Sequence, residues 1–155
     1  MSRLDAWLLH ISTILLSITG LAYAAMHYLM KPTDPFSVVN SPLEPYMMEF
    51  HILVAPLLIL AAGMILHSHI LWKLSTGSQI ARKTGILLIP FFVVMASSGY
   101  LLQVITSSWR SILLIVHLGS GTLWFLLYAG HQIASLRFRR SMHSHNRDAE
   151  PLRNL

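Results

Sequence analysis

The sequence predicts an all-α integral membrane protein, an up-down bundle of four transmembrane helices with both termini in the cytoplasm. Three observations predict it. The first is composition: 54% of the residues are hydrophobic and 11% charged, where a soluble domain carries about a quarter charged residues. The second is a set of four long apolar runs separated by short polar segments, each about long enough to cross a hydrocarbon layer of about 30 Å. The third is the placement of charge. Arg3, Lys73, Arg82, Lys83, Arg137, Arg139, Arg140, Arg147 and Arg153 fall on one side of such a bundle, and only Lys31 and Arg110 on the other. Basic residues collect on the cytoplasmic side.

The first helix is expected over residues 4–30. Arg3 and Ala22-Tyr23-Ala24 resemble parts of a signal peptide, but the apolar stretch is too long for one and contains His10. Pro32, Pro35, Pro42 and Pro45 forbid a continued helix and make the next segment a loop. The second helix is expected over 46–72, with a kink at Pro56. A short basic turn follows. The third is expected over 84–105, with a kink at Pro90, and the fourth over 110–136. Short connections make neighbours antiparallel, so residues 1–137 form one transmembrane domain. Residues 138–155 read as a polar, disordered cytoplasmic tail.

Composition also excludes functions. The chain has no cysteine, so it holds no iron–sulfur cluster, no covalently attached c-type haem and no thiolate zinc site of its own. Its net charge of +5 sits at helix ends, where topology accounts for it, and does not indicate nucleic acid. The anomaly is nine histidines against six acids.

An imidazole in hydrocarbon asks for a partner. His117 and His131 are fourteen residues apart on the fourth helix, which returns them to within about 40° of one face and separates them by about 21 Å. One imidazole near each membrane surface on a common face is what a helix would present to two stacked haems. By depth, His51 falls level with His117 near the outer surface, and His10 level with His131 near the inner one. The expected ligand pairs are therefore His51 with His117 for an outer haem b and His10 with His131 for an inner haem b. His67 is an alternative inner ligand, although about 160° round its helix from His51. His69 returns to the face of His51 but lies at the membrane surface. His27 reads as interfacial, and His143 and His145 as solvated. Gly20, Gly63, Gly99, Gly119, Gly121 and Gly130 either leave room for a macrocycle or let helices pack closely. Arg110 could meet a haem propionate. Glu49, two residues before His51, either accepts a proton from a quinol at the outer haem or caps the start of its helix.

The pattern resembles the four-helix bacterial di-haem cytochromes b, which include small quinone-linked membrane cytochromes and the cytochrome b subunits of formate dehydrogenases and nickel–iron hydrogenases. The residues that carry the resemblance are Arg3-x6-His10, His51, the His117-x13-His131 pair and a third helix without histidine, with Ser98-Gly99-Tyr100-Leu101-Leu102 at its end. The His67-x-His69 motif departs from that pattern. The resemblance spans residues 3–137. It implies two haems b and electron exchange with quinone or quinol in the bacterial cytoplasmic membrane. The chain carries no extramembrane redox domain. This motivates a redox partner on the outer face, a multihaem cytochrome or an iron–sulfur subunit. The alternatives are a stand-alone quinone reductase, a histidine-lined metal carrier and a non-redox membrane anchor.

Overall fold

The computed structural model describes residues 2–32, 34–66, 71 and 82–149, and among them it contains helices and connecting turns but no strand. Four helices follow in order: α1 (Arg3–Leu29), α2 (Glu44–Ile65), α3 (Arg82–Val104) and α4 (Trp109–Ala149). All four carry a segment long and apolar enough to cross a membrane. The chain divides into two units, Met1–Trp72 and Lys73–Leu155. Each is a helical hairpin, α1 against α2 in the first and α3 against α4 in the second.

Local chemistry explains the helix ends. Ser2 and Asp5 cap α1 reciprocally: Asp5 N donates to Ser2 Oγ at 3.1 Å and Ser2 N donates to Asp5 Oδ2 at 2.8 Å. The extended Met30 ends α1 shortly before Pro32. α2 starts two residues before its expected position, with Pro45 inside its first turn. There the missing N–H would have had no intrahelical acceptor. Arg110 closes the α3–α4 turn, its Nη1 donating to the carbonyls of Leu102 and, at 3.3 Å, Ile105. This places a cation on the carbonyl end of α3, where the helix dipole favours it.

α4 continues beyond residue 136, its expected end, to Ala149. Its membrane-length apolar segment is Trp109–Phe138, but no glycine or proline interrupts residues 131–150. Charge alone does not end a helix, and arginine is a good helix former. His143 and His145 thus belong to a helical extension, while residues 150–155 lie outside the described chain.

Both hairpins bury small and polar side chains beside a few large apolar ones and leave much leucine and isoleucine exposed. In the first, Ser12, Thr13, Thr19, Val54, Leu58 and Ala61 are buried, whereas Ile14, Ile18, Leu21, Leu53, Leu57 and Leu60 are exposed. In the second, Ser98, Ser120, Trp124 and Tyr128 are buried, whereas Ile112, Ile115, Leu123 and Leu126 are exposed. Water would favour the reverse. In hydrocarbon, apolar side chains gain little by leaving lipid, and small residues let helices approach. The buried hydroxyls are satisfied along their own helices: Ser12 Oγ donates to Leu8 O at 2.7 Å, Ser98 Oγ to Val94 O at 2.7 Å and Ser120 Oγ to Val116 O at 2.6 Å. Thr13 is the exception, with a fully buried Oγ1 that has no hydrogen-bond partner.

The seams repeat every seven residues, the period of two helices wound about each other. In the first hairpin Gly20 meets His51, and His27, one heptad on, meets Glu44, one heptad back. In the second, Gly99 meets His117, Phe92 meets Trp124 with ring centroids 5.8 Å apart, and Gly85 meets His131.

Candidate functional site

Three of the four expected ligands, His51, His117 and His131, are held in one manner. Each imidazole lies on a glycine of the facing helix, and its Nδ1 faces a hydroxyl on the residue just before that glycine.

His51 Nδ1 stands 3.1 Å from Thr19 Oγ1. The Thr19 hydroxyl proton is directed to Leu15 O, 2.8 Å away. With the Thr19 proton on that carbonyl, its oxygen accepts from an Nδ1–H of His51. A Cβ added to Gly20 would stand 2.9 Å from His51 Cε1 and 3.2 Å from Nδ1, so the ring occupies the space that the glycine leaves.

His117 repeats the construction. Its Nδ1 is 2.9 Å from Met95 O, and a carbonyl can only accept, so here too the proton is on Nδ1. Ser98 Oγ lies 3.4 Å from the same nitrogen. A Cβ on Gly99 would stand 2.9 Å from His117 Cε1. The third case is looser: His131 Nδ1 is 3.1 Å from Thr84 Oγ1, and a Cβ on Gly85 would stand 3.4 Å from His131 Cε1.

The fourth expected ligand, His10, is half-buried on α1. The alternative ligand His67, and His69, lie outside the described residues. Glu49 is exposed on α2. His27 is paired with Glu44, 2.6 Å from Nδ1 to Oε1, and Glu44 is the buried acid at this end of α2. Arg110 is engaged with the end of α3. The glycines divide into two sorts. Gly20, Gly85 and Gly99 seat imidazoles and Gly121 meets Met95, whereas Gly63, Gly119 and Gly130 face open space within 4 Å.

Sequence reasoning did not single out Thr19, Thr84 or Gly85. A signal for them exists. Thr84-Gly85 and Ser98-Gly99 are fourteen residues apart, as are His117 and His131. Two antiparallel helices in contact bring such matched intervals into register.

A neutral imidazole with its Nδ1–H held by an oxygen acceptor has a fixed tautomer, a fixed ring plane and a more basic Nε2. Metal-ligating histidines are prepared in this way. Single neutral imidazoles of this kind would suit haem iron. Among the described residues no three His, Asp or Glu side chains gather as a structural zinc site requires. Compared with protein families, curated proteins and solved structures, the chain finds no match.

Proposed function

We propose that this chain is a di-haem b-type membrane cytochrome, carrying electrons across a bacterial cytoplasmic membrane between quinone or quinol and a redox partner. The observation that carries the reading is the repeated clasp: histidines in apolar hairpins whose Nδ1 is held to an oxygen and whose ring lies on a glycine. The proposed ligand pairs are those expected from the sequence, His51 with His117 and His10 with His131. His67 is the alternative inner ligand. In the proposed topology both termini and the basic turn before α3 face the cytoplasm, and the proline loop faces outward. The partner is a multihaem or iron–sulfur subunit docked outside, and the chain is the membrane subunit of a larger electron-transfer complex. Haem iron held by these imidazoles would supply one-electron chemistry. The protein's part is to orient the rings and keep water from them.

The test is a dithionite-reduced minus oxidised spectrum of the purified chain, with a pyridine haemochrome assay. Two haems b per chain are expected, and His117→Ala and His10→Ala should each lose one. Two haems in His10→Ala with one in His67→Ala would move the inner ligand to His67. A chain without haem would overturn the reading and favour a metal carrier or an anchor.

A further inference from the structure

The second hairpin is basic and has almost nothing to balance the charge. Residues 50–147 contain no aspartate or glutamate. Its cations are Arg82, Lys83, Arg110, Arg137, Arg139, Arg140 and Arg147. Arg110 is used at one end, on the carbonyls of α3. The others belong to the opposite end, where α3 begins and where α4 runs on from Phe138, the last residue of its membrane-length segment, to Ala149. The Gly85–His131 clasp sets the level there. Arg82 lies three residues before Gly85 and Arg137 six residues after His131, about 4.5 and 9 Å beyond the clasp.

Topology asks for basic residues on one side of a membrane. It does not ask them to share a helix face. Arg137 and Arg140 are three residues apart and both exposed, so they are neighbours on one side of α4, where like charges repel. No residue three or four positions from either is acidic. An anion between the two guanidinium groups would relieve the repulsion, and a phosphate matches their forked donors.

The same face runs back into the apolar segment. Ile133 and Leu136 lie one turn before Arg137 and Arg140 and are 50% and 55% exposed. Gly130, with open space where a Cβ would stand, and the exposed Leu126 continue the line. Leu126 is also the near edge of an open apolar groove of about 450 Å³ that includes Gly119, Thr122 and Leu123. From Arg137 to Leu126 is about 16 Å along the helix. That is close to the depth of one leaflet, half of a hydrocarbon layer of about 30 Å.

We propose that this face of α4 binds an anionic phospholipid, with the phosphate between Arg137 and Arg140 and an acyl chain along Leu136, Ile133, Gly130 and Leu126. The proposal rests on the membrane half of the reading above and not on the haems. Cations at one end and an apolar track one leaflet deep fit an amphiphile with a negative head. A free phosphate would use only the first of these. Arg139, Arg82 and Lys83 add positive charge near the same level, which favours an anionic over a zwitterionic headgroup. Arg147 is about 15 Å further along the helix than Arg137, past a headgroup layer of about 5–7 Å, and takes no part.

The test uses the full chain in detergent, with phosphatidylglycerol and phosphatidylcholine of matched acyl chains and with inorganic phosphate as the free anion. Native mass spectra read the bound lipid. The wild type should hold phosphatidylglycerol at least about tenfold more tightly than phosphatidylcholine, and inorganic phosphate should not displace it. Arg137→Gln combined with Arg140→Gln should remove the preference, and Arg147→Gln should keep it. A phosphatidylglycerol with a diazirine in its acyl chain should label α4 between Leu126 and Leu136, which locates the lipid without any variant.

Equal retention of the two lipids by the wild type would overturn the proposal and leave the haem and membrane readings intact. So would a preference that survives in the double variant, a preference lost equally in Arg147→Gln, or labelling confined to other helices. Displacement by inorganic phosphate would make this a phosphate site and overturn the lipid assignment. If the double variant unfolds, the labelling decides alone. A chain that does not sediment with lipid vesicles would overturn the proposal together with the membrane reading.

Discussion

The glycines separate packing from ligand chemistry at the scale of single residues. Alanine at Gly20 or Gly99 would put a Cβ 2.9 Å from a ring carbon of His51 or His117. These rings are held by their Nδ1 bonds, so each variant should lose about 1–3 kcal/mol from overpacking and bind less haem. Gly85→Ala meets His131 at 3.4 Å, an ordinary contact, and should be milder. Alanine at Gly63, Gly119 or Gly130 meets nothing within 4 Å and should stabilise its helix by about 0.5–1 kcal/mol. Thermal unfolding in detergent reads the whole series, and equal effects at Gly20 and Gly63 would remove the clasp from the argument. Thr13→Val addresses the orphan hydroxyl. It deletes a buried group with no partner, so stability should hold or rise by about 1 kcal/mol. A marked loss on unfolding would mean that the Thr13 oxygen is used. Thr19→Val should lower haem content or shift the midpoint potential of one haem, as it removes the acceptor for His51 Nδ1, whereas Thr19→Ser should keep both near wild type.

Helix ends and seams were legible from the sequence to different degrees. Proline placed the first loop well, because its effect is local: Pro32 ends α1 wherever α1 packs. The cap by Arg110 was not legible, since its acceptors lie eight and five residues back, across a turn whose shape had first to form. Arg110→Ala should cost about 0.5–1 kcal/mol and fray the last turn of α3, measurable as faster amide exchange at residues 103–106. Arg110→Lys should recover part of this, as charge returns without the guanidinium fork. The aromatic layer between the two clasps of the second hairpin carries more. Trp124 stacks on Tyr128 with centroids 5.4 Å apart, and Phe92 leans on Trp124 at a tilt of 48°. Trp124→Ala should cost about 3–5 kcal/mol, larger than any single glycine variant.

Each hairpin is a pair of membrane-length helices with exposed leucine and isoleucine. The absence of cysteine makes the topology of the chain directly testable. Ser2→Cys reports the N-terminus, and Phe36→Cys, at a position 94% exposed, reports the proline loop. With the termini in the cytoplasm, a membrane-impermeant maleimide should label Phe36→Cys in intact cells stripped of their outer membrane. Ser2→Cys should label only after lysis. The opposite pattern would invert the topology.

Sequence by itself determined four runs long and apolar enough to cross a membrane, though not that α4 continues to Ala149. The reason is that a bilayer forces every backbone N–H and C=O to be satisfied within its own segment, so a window of about twenty residues holds the needed information. It also marked His10, His51, His117 and His131 as residues demanding an explanation, because a histidine in an apolar run is conspicuous without any knowledge of its neighbours. Only the tertiary structure decided which histidine lies on which glycine, that Thr19, Thr84 and Met95 O hold the Nδ1 atoms, and that Glu44 is buried against His27 while Glu49 is exposed. Each of these is a relation between two helices. Its register is set where a missing side chain on one helix admits a ring from the other, and no single stretch of the chain contains both halves.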